Sequence, residues 1–108
     1  MADTYLVTGG MGCLGAWTLF HLQREGKRVV CFDLSDDRHR LDLLLSRAEQ
    51  EAIIFVRGDL TNAQQVRDVF DQHAISHVVH LAALQVPFCR ANPPLGAQVN
   101  VTGTVNIF

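Results

Sequence analysis

Short apolar runs alternate along the chain with segments of helical periodicity. Thr4–Thr8 (TYLVT) is rich in β-branched and aromatic residues and stops at Gly9-Gly10, which predicts a strand and a turn. Residues 13–25 follow without proline, and Gly26 stands where a helix-ending glycine belongs. Arg28–Asp33 (RVVCFD) predicts a second strand. Leu41, Leu44, Leu45 and Ala48 then recur at i, i+3, i+4 and i+7, the stripe of an amphipathic helix. Residues 53–56 predict a third strand. Thr61 and Gln64 form a capping-box pattern that opens a helix with Ala63, Val66 and Phe70 inward. Residues 77–83 (HVVHLAA) predict a fourth strand, Pro87, Pro93 and Pro94 a loop, and residues 95–108 a last helix.

Strands and helices thus alternate. Apolar runs that are continuous rather than alternating imply a sheet covered on both faces, and hence parallel strands. With right-handed crossovers, this predicts the α/β class: a Rossmann-type doubly wound parallel sheet, partial, with about four strands in the order 3-2-1-4. A ligand belongs over the carboxyl ends of strands 1 and 4, where the strand order reverses.

Composition narrows the function. The 108 residues make one domain, and 48% hydrophobic against 19% charged residues can support a core. Nine basic and eleven acidic residues leave a net charge of −2, so no general attraction for nucleic acid or anionic membrane is expected. Cys13, Cys31 and Cys89 are odd in number and widely spaced, which argues against a disulfide framework or zinc cluster and for a reducing, cytoplasmic setting. The uncharged stretch 4–23 holds four glycines and a histidine and follows Asp3. It reads as strand, turn and helix rather than as a signal or membrane segment. His77 and His80, three apart on a strand, point to opposite faces and cannot share a metal, so no metal site is expected. His80 reads as a partly buried histidine at a strand end, and Trp17 and Phe20 as core.

The strongest chemical signal is TGGMGCLG at residues 8–15, placed between a strand and a helix. In that context Gly9 permits the tight turn, Gly12 lets backbone approach a pyrophosphate, and Gly15 lets helix and strand pack closely. Free N–H groups at the helix start, around Cys13 and Leu14, then face the anion. Cys13 itself reads as a small turn-filling residue rather than a nucleophile. Asp33 closes the second strand 18 residues after Gly15. A carboxylate there accepts hydrogen bonds from ribose hydroxyls and repels a 2′-phosphate, which favours NAD over NADP. Arg38 and Arg40 keep NADP open. The only lysine is Lys27, so no Walker-type phosphate loop can be formed. A methyltransferase binding S-adenosylmethionine also uses a glycine turn and an acid, and stays open at this point.

Four motifs in order carry a resemblance: TGGMGCLG (8–15), Asp33 at a strand end, GDL (58–60) with HLAA (80–83), and NVTGTVNI (100–107). Over all 108 residues the chain resembles the amino-terminal portion of the extended short-chain dehydrogenase/reductase family, the NAD-dependent epimerases and dehydratases. The resemblance implies an NAD site in which Asp59 bonds the adenine amino group and Leu60 lies beside the ring. Leu81, Ala82 and Ala83 let the fourth strand approach the dinucleotide, and Asn100 supports the nicotinamide half. It implies a nucleotide-sugar or similar hydroxyl/keto substrate in a longer parent. A non-catalytic dinucleotide sensor or scaffold remains the alternative.

The family's chemistry uses a tyrosine as general acid/base with a lysine four residues later. Here the only tyrosine is Tyr5 and the only lysine Lys27, so no catalytic residue of that pair lies in the chain. Residues 1–108 are therefore expected to form the cofactor-binding part, without the catalytic and substrate regions and inactive alone. Strand 4 should be an exposed edge, a template for self-association or a homodimer, and the chain marginally stable.

Overall fold

A computed structural model describes residues 3–108. Four strands, β1 (Thr4–Thr8), β2 (Arg28–Asp33), β3 (Ile54–Arg57) and β4 (His77–His80), form one parallel sheet in the order β3-β2-β1-β4. This is the expected doubly wound arrangement. Successive residues of the central strands serve opposite faces, as the pleat requires. Val7, Val29 and Cys31 join one core with Ala16, Leu19, Leu41, Leu45 and Ile53. Leu6, Val30 and Phe32 join the other with Leu60, Val66, Val69 and Ile107.

Helix α1 (Cys13–Arg24) packs Gly15, Ala16 and Leu19 inward. It ends as expected at Gly26 (φ 71°). The Gly26 N–H bonds Gln23 O and the Lys27 N–H bonds Leu22 O, the paired contacts of a Schellman motif. Trp17 does not join the core. It is 48% exposed and lies on the outer face with its ring edge-on to Phe20, which is half-buried.

The single helix expected from Leu41 to Ala48 is two, α2 (His39–Asp42) and α3 (Arg47–Gln50). Ser46 and Glu49 form a reciprocal capping box that starts a new helix inside the stripe. Leu41 and Leu45 are buried, Ala48 is exposed, and Gln50 takes the inner place. The Gln50 amide donates to Asp42 Oδ1 at 2.8 Å and Leu45 O at 3.1 Å.

Helix α4 (Ala63–His73) is capped by Asn62 rather than by the Thr61–Gln64 box. Thr61 is already committed, its N–H and hydroxyl both donating to Asp59 Oδ1 at 2.9 and 2.7 Å. Asn62 Oδ1 instead accepts from the Gln64 and Gln65 amides, both at 3.1 Å. Val66 and Val69 are the buried positions, and Phe70 is half-buried. Asn62→Ala should lower stability by about 1 kcal/mol, read as a lower urea midpoint with unchanged slope.

β4 ends at His80, three residues earlier than the pattern predicts, and residues 81–85 leave the sheet. The proline-rich segment is helical rather than looped: α5 (Val86–Ala91) and α6 (Pro93–Ala97) carry their prolines in the first turn, where a missing N–H costs nothing. α6 continues through a π-helical turn (Gln98–Thr102) into α7 (Gly103–Ile107), so the last helix starts before Leu95. α7 lies against α4, and Asn106 Nδ2 donates to Leu60 O at 2.8 Å. β3 and β4 are the sheet edges. Among the described residues no helix is long and apolar enough to cross a membrane.

Candidate functional site

The strand order reverses between β1 and β4, and a cleft of about 500 Å³ opens there at the carboxyl ends of the strands. Its walls come from every β-to-α connection: the glycine turn, Asp33 to Ser35, Gly58 to Leu60, and Leu81 to Gln85. This is where parallel sheets of this winding take ligands.

The three glycines singled out in the sequence have different physical reasons. Gly9 has φ +74°, and a Cβ there would stand 2.8 Å from Ala82 N; its bareness brings the turn against the segment after β4. A Cβ on Gly15 would fall on the Gly9 carbonyl oxygen and lie 2.6 Å from Gly10 Cα. The collision is therefore with the turn itself. Gly12 is the exception. Its φ of −78° and ψ of 178° suit any residue, and a Cβ would meet only Gly9 O at 3.4 Å.

Gly12 is also the N-cap of α1 and brings no side-chain acceptor. The amides of Cys13, Leu14 and Gly15 have no intrahelical partner in a first turn and lie beside the cleft. They add to the positive end of a helix dipole. Cys13 and Leu14 are exposed there.

Asp33 is fixed at the rim by two backbone donors. Its Oδ2 accepts from Met11 N at 3.0 Å and its Oδ1 from Ser35 N at 2.9 Å. The acid and the glycine turn are thus one unit, although 22 residues separate the bonded pair. Beneath them Cys31 is buried. Burial first, and the neighbouring Asp33 charge second, push its thiol up to about 12, which leaves it inert packing. The Arg38 guanidinium lies 3.8 Å above the Phe55 ring, whereas Arg40 Nη1 donates to Met11 O at 3.2 Å, on the same residue whose amide bonds Asp33.

Asp59 and Leu60 form the wall after β3. Asp59 Oδ1 accepts both Thr61 bonds, while its own N–H donates to Gln65 Oε1 at 2.8 Å. Leu81, Ala82 and Ala83 form the wall after β4. Asn100 is not on the cleft surface. Its Oδ1 accepts from Leu84 N at 2.6 Å and its Nδ2 donates to Leu84 O at 3.0 Å. It clamps the cleft-lining segment from behind, at a π-helical turn, a feature that recurs at functional sites. Sequence reading misses Thr8, whose buried hydroxyl accepts from the Leu81 and Ala82 amides at 3.1 and 3.2 Å. Its place before the glycines was the available signal. Among the described residues no cluster of His, Cys, Asp or Glu could hold a metal ion.

A family model described as GDP-mannose 4,6 dehydratase matches residues 6–108. The chain belongs to this family, within the extended short-chain dehydrogenase/reductases. UDP-glucose 4-epimerase of Drosophila melanogaster is 36% identical to this member over 109 residues, spanning 94% of the chain and 31% of the relative. UDP-glucose 4-epimerase of Klebsiella pneumoniae is 34% identical over 104 residues, spanning 94% of the chain and 75% of the relative. The solved UDP-glucose 4-epimerase of Thermus thermophilus, a complex with NAD, superposes with a TM-score of 0.80 at 28% identity. That match covers 96% of this chain and 32% of the other. The chain thus spans about a third of the length of the Drosophila and Thermus proteins.

Proposed function

We propose that the cleft binds NAD, with the pyrophosphate over the first turn of α1 and the adenosine ribose on Asp33. The observation that carries this reading is Gly12. Its own chain would accommodate a side chain there, so a bare backbone serves what approaches from outside. Asp59 and Leu60 then lie on the adenine side, and Leu81 to Ala83 on the wall facing the dinucleotide. Asp33 at the rim favours NAD over NADP.

Bound NAD would supply a hydride acceptor. This chain's residues bind and orient it. The relatives' names support a parent that is an NAD-dependent epimerase or dehydratase acting on a nucleotide sugar. Proton transfer at the sugar would fall to residues other than these, since Tyr5 lies inside β1 with Gly9 four residues on. Calorimetric titration tests the cofactor assignment. NAD should bind more tightly than NADP, with no heat from S-adenosylmethionine; binding of the methyl donor alone would overturn it.

The reading extends to assembly. β4 is a sheet edge, and an unpaired edge is a template for another copy. Light scattering at rising concentration should give a mass above the 12.0 kDa of one chain. A constant monomer mass removes this part of the proposal.

A further inference from the structure

The end of β4 carries a polar chain that the proposed cofactor site does not use directly. His80 Nδ1 lies 2.6 Å from Thr8 Oγ1, and His80 Nε2 lies 2.9 Å from Thr104 Oγ1. Thr104 Oγ1 in turn donates to Asn100 O at 2.8 Å. Counting donors fixes every direction. The Thr8 hydroxyl has two acceptor positions and one proton. The Leu81 and Ala82 amides fill the acceptor positions, so the proton goes to His80 Nδ1. The ring therefore accepts at Nδ1, carries its own proton on Nε2, and donates that to Thr104. Thr104, having accepted, passes its proton to the Asn100 carbonyl.

We infer that His80 is a positioning residue of the cleft: its neutral Nε2–H ring ties the cleft wall at Leu81 and Ala82 to Thr104 in the terminal helix, and protonation of the ring undoes the tie. A charged ring would present a second N–H at Nδ1 to a hydroxyl that already accepts two. Thr8 would then have to release the Ala82 amide, or that of Leu81, which keeps its second bond to Thr8 O at 3.2 Å. Release of the Ala82 amide reaches the glycine turn, because Gly9 is packed against the Ala82 backbone. It also reaches the far wall, because the Asn100 side chain at the other end of the network holds Leu84.

The groups facing the ring are the Thr8 hydroxyl from β1, the Thr104 hydroxyl from the terminal helix and the ring of Phe108, which follows that helix. Burial lowers the His80 pKa from the ordinary 6.5. The neutral ring is therefore the folded protein's form at neutral pH. Its contribution to stability is complete above 6.5 and is lost as pH falls through the lower folded value.

The effect on affinity rests on the NAD reading; the ring geometry does not. Imidazole-labelled chain should show His80 as the Nε2–H tautomer at pH 7, titrating below the ordinary 6.5. The Leu81 and Ala82 amide signals should follow the same midpoint. NAD affinity should weaken below that midpoint by up to about ten-fold per pH unit. His80→Asn keeps an acceptor near the Nδ1 position without a titrating ring, and should bind NAD with that acid weakening removed. An Nδ1–H or charged ring at pH 7, or Leu81 and Ala82 signals indifferent to the ring, overturns the inference. So does a folded His80→Asn chain that keeps the acid weakening. If the unaltered chain takes no NAD at any pH, the cofactor reading fails, and the ring and amide signals still decide this one.

Discussion

Gly12→Ala should leave the fold intact and cost the cleft its NAD. The backbone at Gly12 lies in the extended region, with a Cβ meeting only one atom at 3.4 Å. Losing unfolded-state freedom should even raise stability, by up to about 1 kcal/mol. The same methyl stands where the pyrophosphate must reach the first-turn amides of α1. Displacing those charge-assisted bonds, each about 1.5–3 kcal/mol, should weaken NAD by about ten- to hundred-fold. Gly15→Ala is the contrasting case. Its Cβ collides with the Gly9 carbonyl and with Gly10 Cα, backbone atoms that cannot rotate away, so the turn must open. Overpacking of this kind costs about 1–3 kcal/mol or more. Thermal melts beside NAD titrations separate the two: affinity alone falls at Gly12, stability and affinity together at Gly15. Equal loss of stability at both sites would mean that the glycines serve only the turn.

The second large effect is expected at Asp33. Asp33→Asn keeps the shape and removes the charge. The ribose hydroxyls lose a charged acceptor, and the 2′-phosphate of NADP loses a repulsive neighbour. A charged hydrogen bond is worth about 1.5–3 kcal/mol, so the NAD-to-NADP affinity ratio should drop by at least about ten-fold. The Met11 and Ser35 amides, which Asp33 now accepts, should loosen as well, lowering the melting temperature. An unchanged ratio with a lowered melting temperature would leave Asp33 a brace for the turn and no more.

The sheet was legible because each strand is a short apolar run bounded by turn residues, and continuous runs leave few alternatives to a parallel sheet. The glycine turn and Asp33 were legible because their chemistry is local. Elsewhere two local signals competed and the periodic one misled. The Leu41 to Ala48 stripe hides the Ser46–Glu49 capping box that divides it. The Thr61–Gln64 pattern yields to Asn62 because Asp59 holds Thr61. Leu14 and Trp17, apolar and three apart on α1, both face outward, and hydrophobicity alone cannot say which side of a helix the sheet covers. The contacts of Thr8 with His80, Leu81 and Ala82 join residues at least 72 positions apart. No spacing rule reaches that far, so the polar brace behind the cleft emerges only from the fold.

On the proposed reading, NAD lies across the switch point with its pyrophosphate on α1. Addition of NAD to uniformly nitrogen-15-labelled chain, followed by amide chemical shifts, tests it most directly. The largest shifts should fall at Gly12, Cys13, Leu14, Ala82 and Ala83, with the outer face of α4 unmoved. Saturable binding with its shifts elsewhere, or no shifts at millimolar NAD, would contradict it.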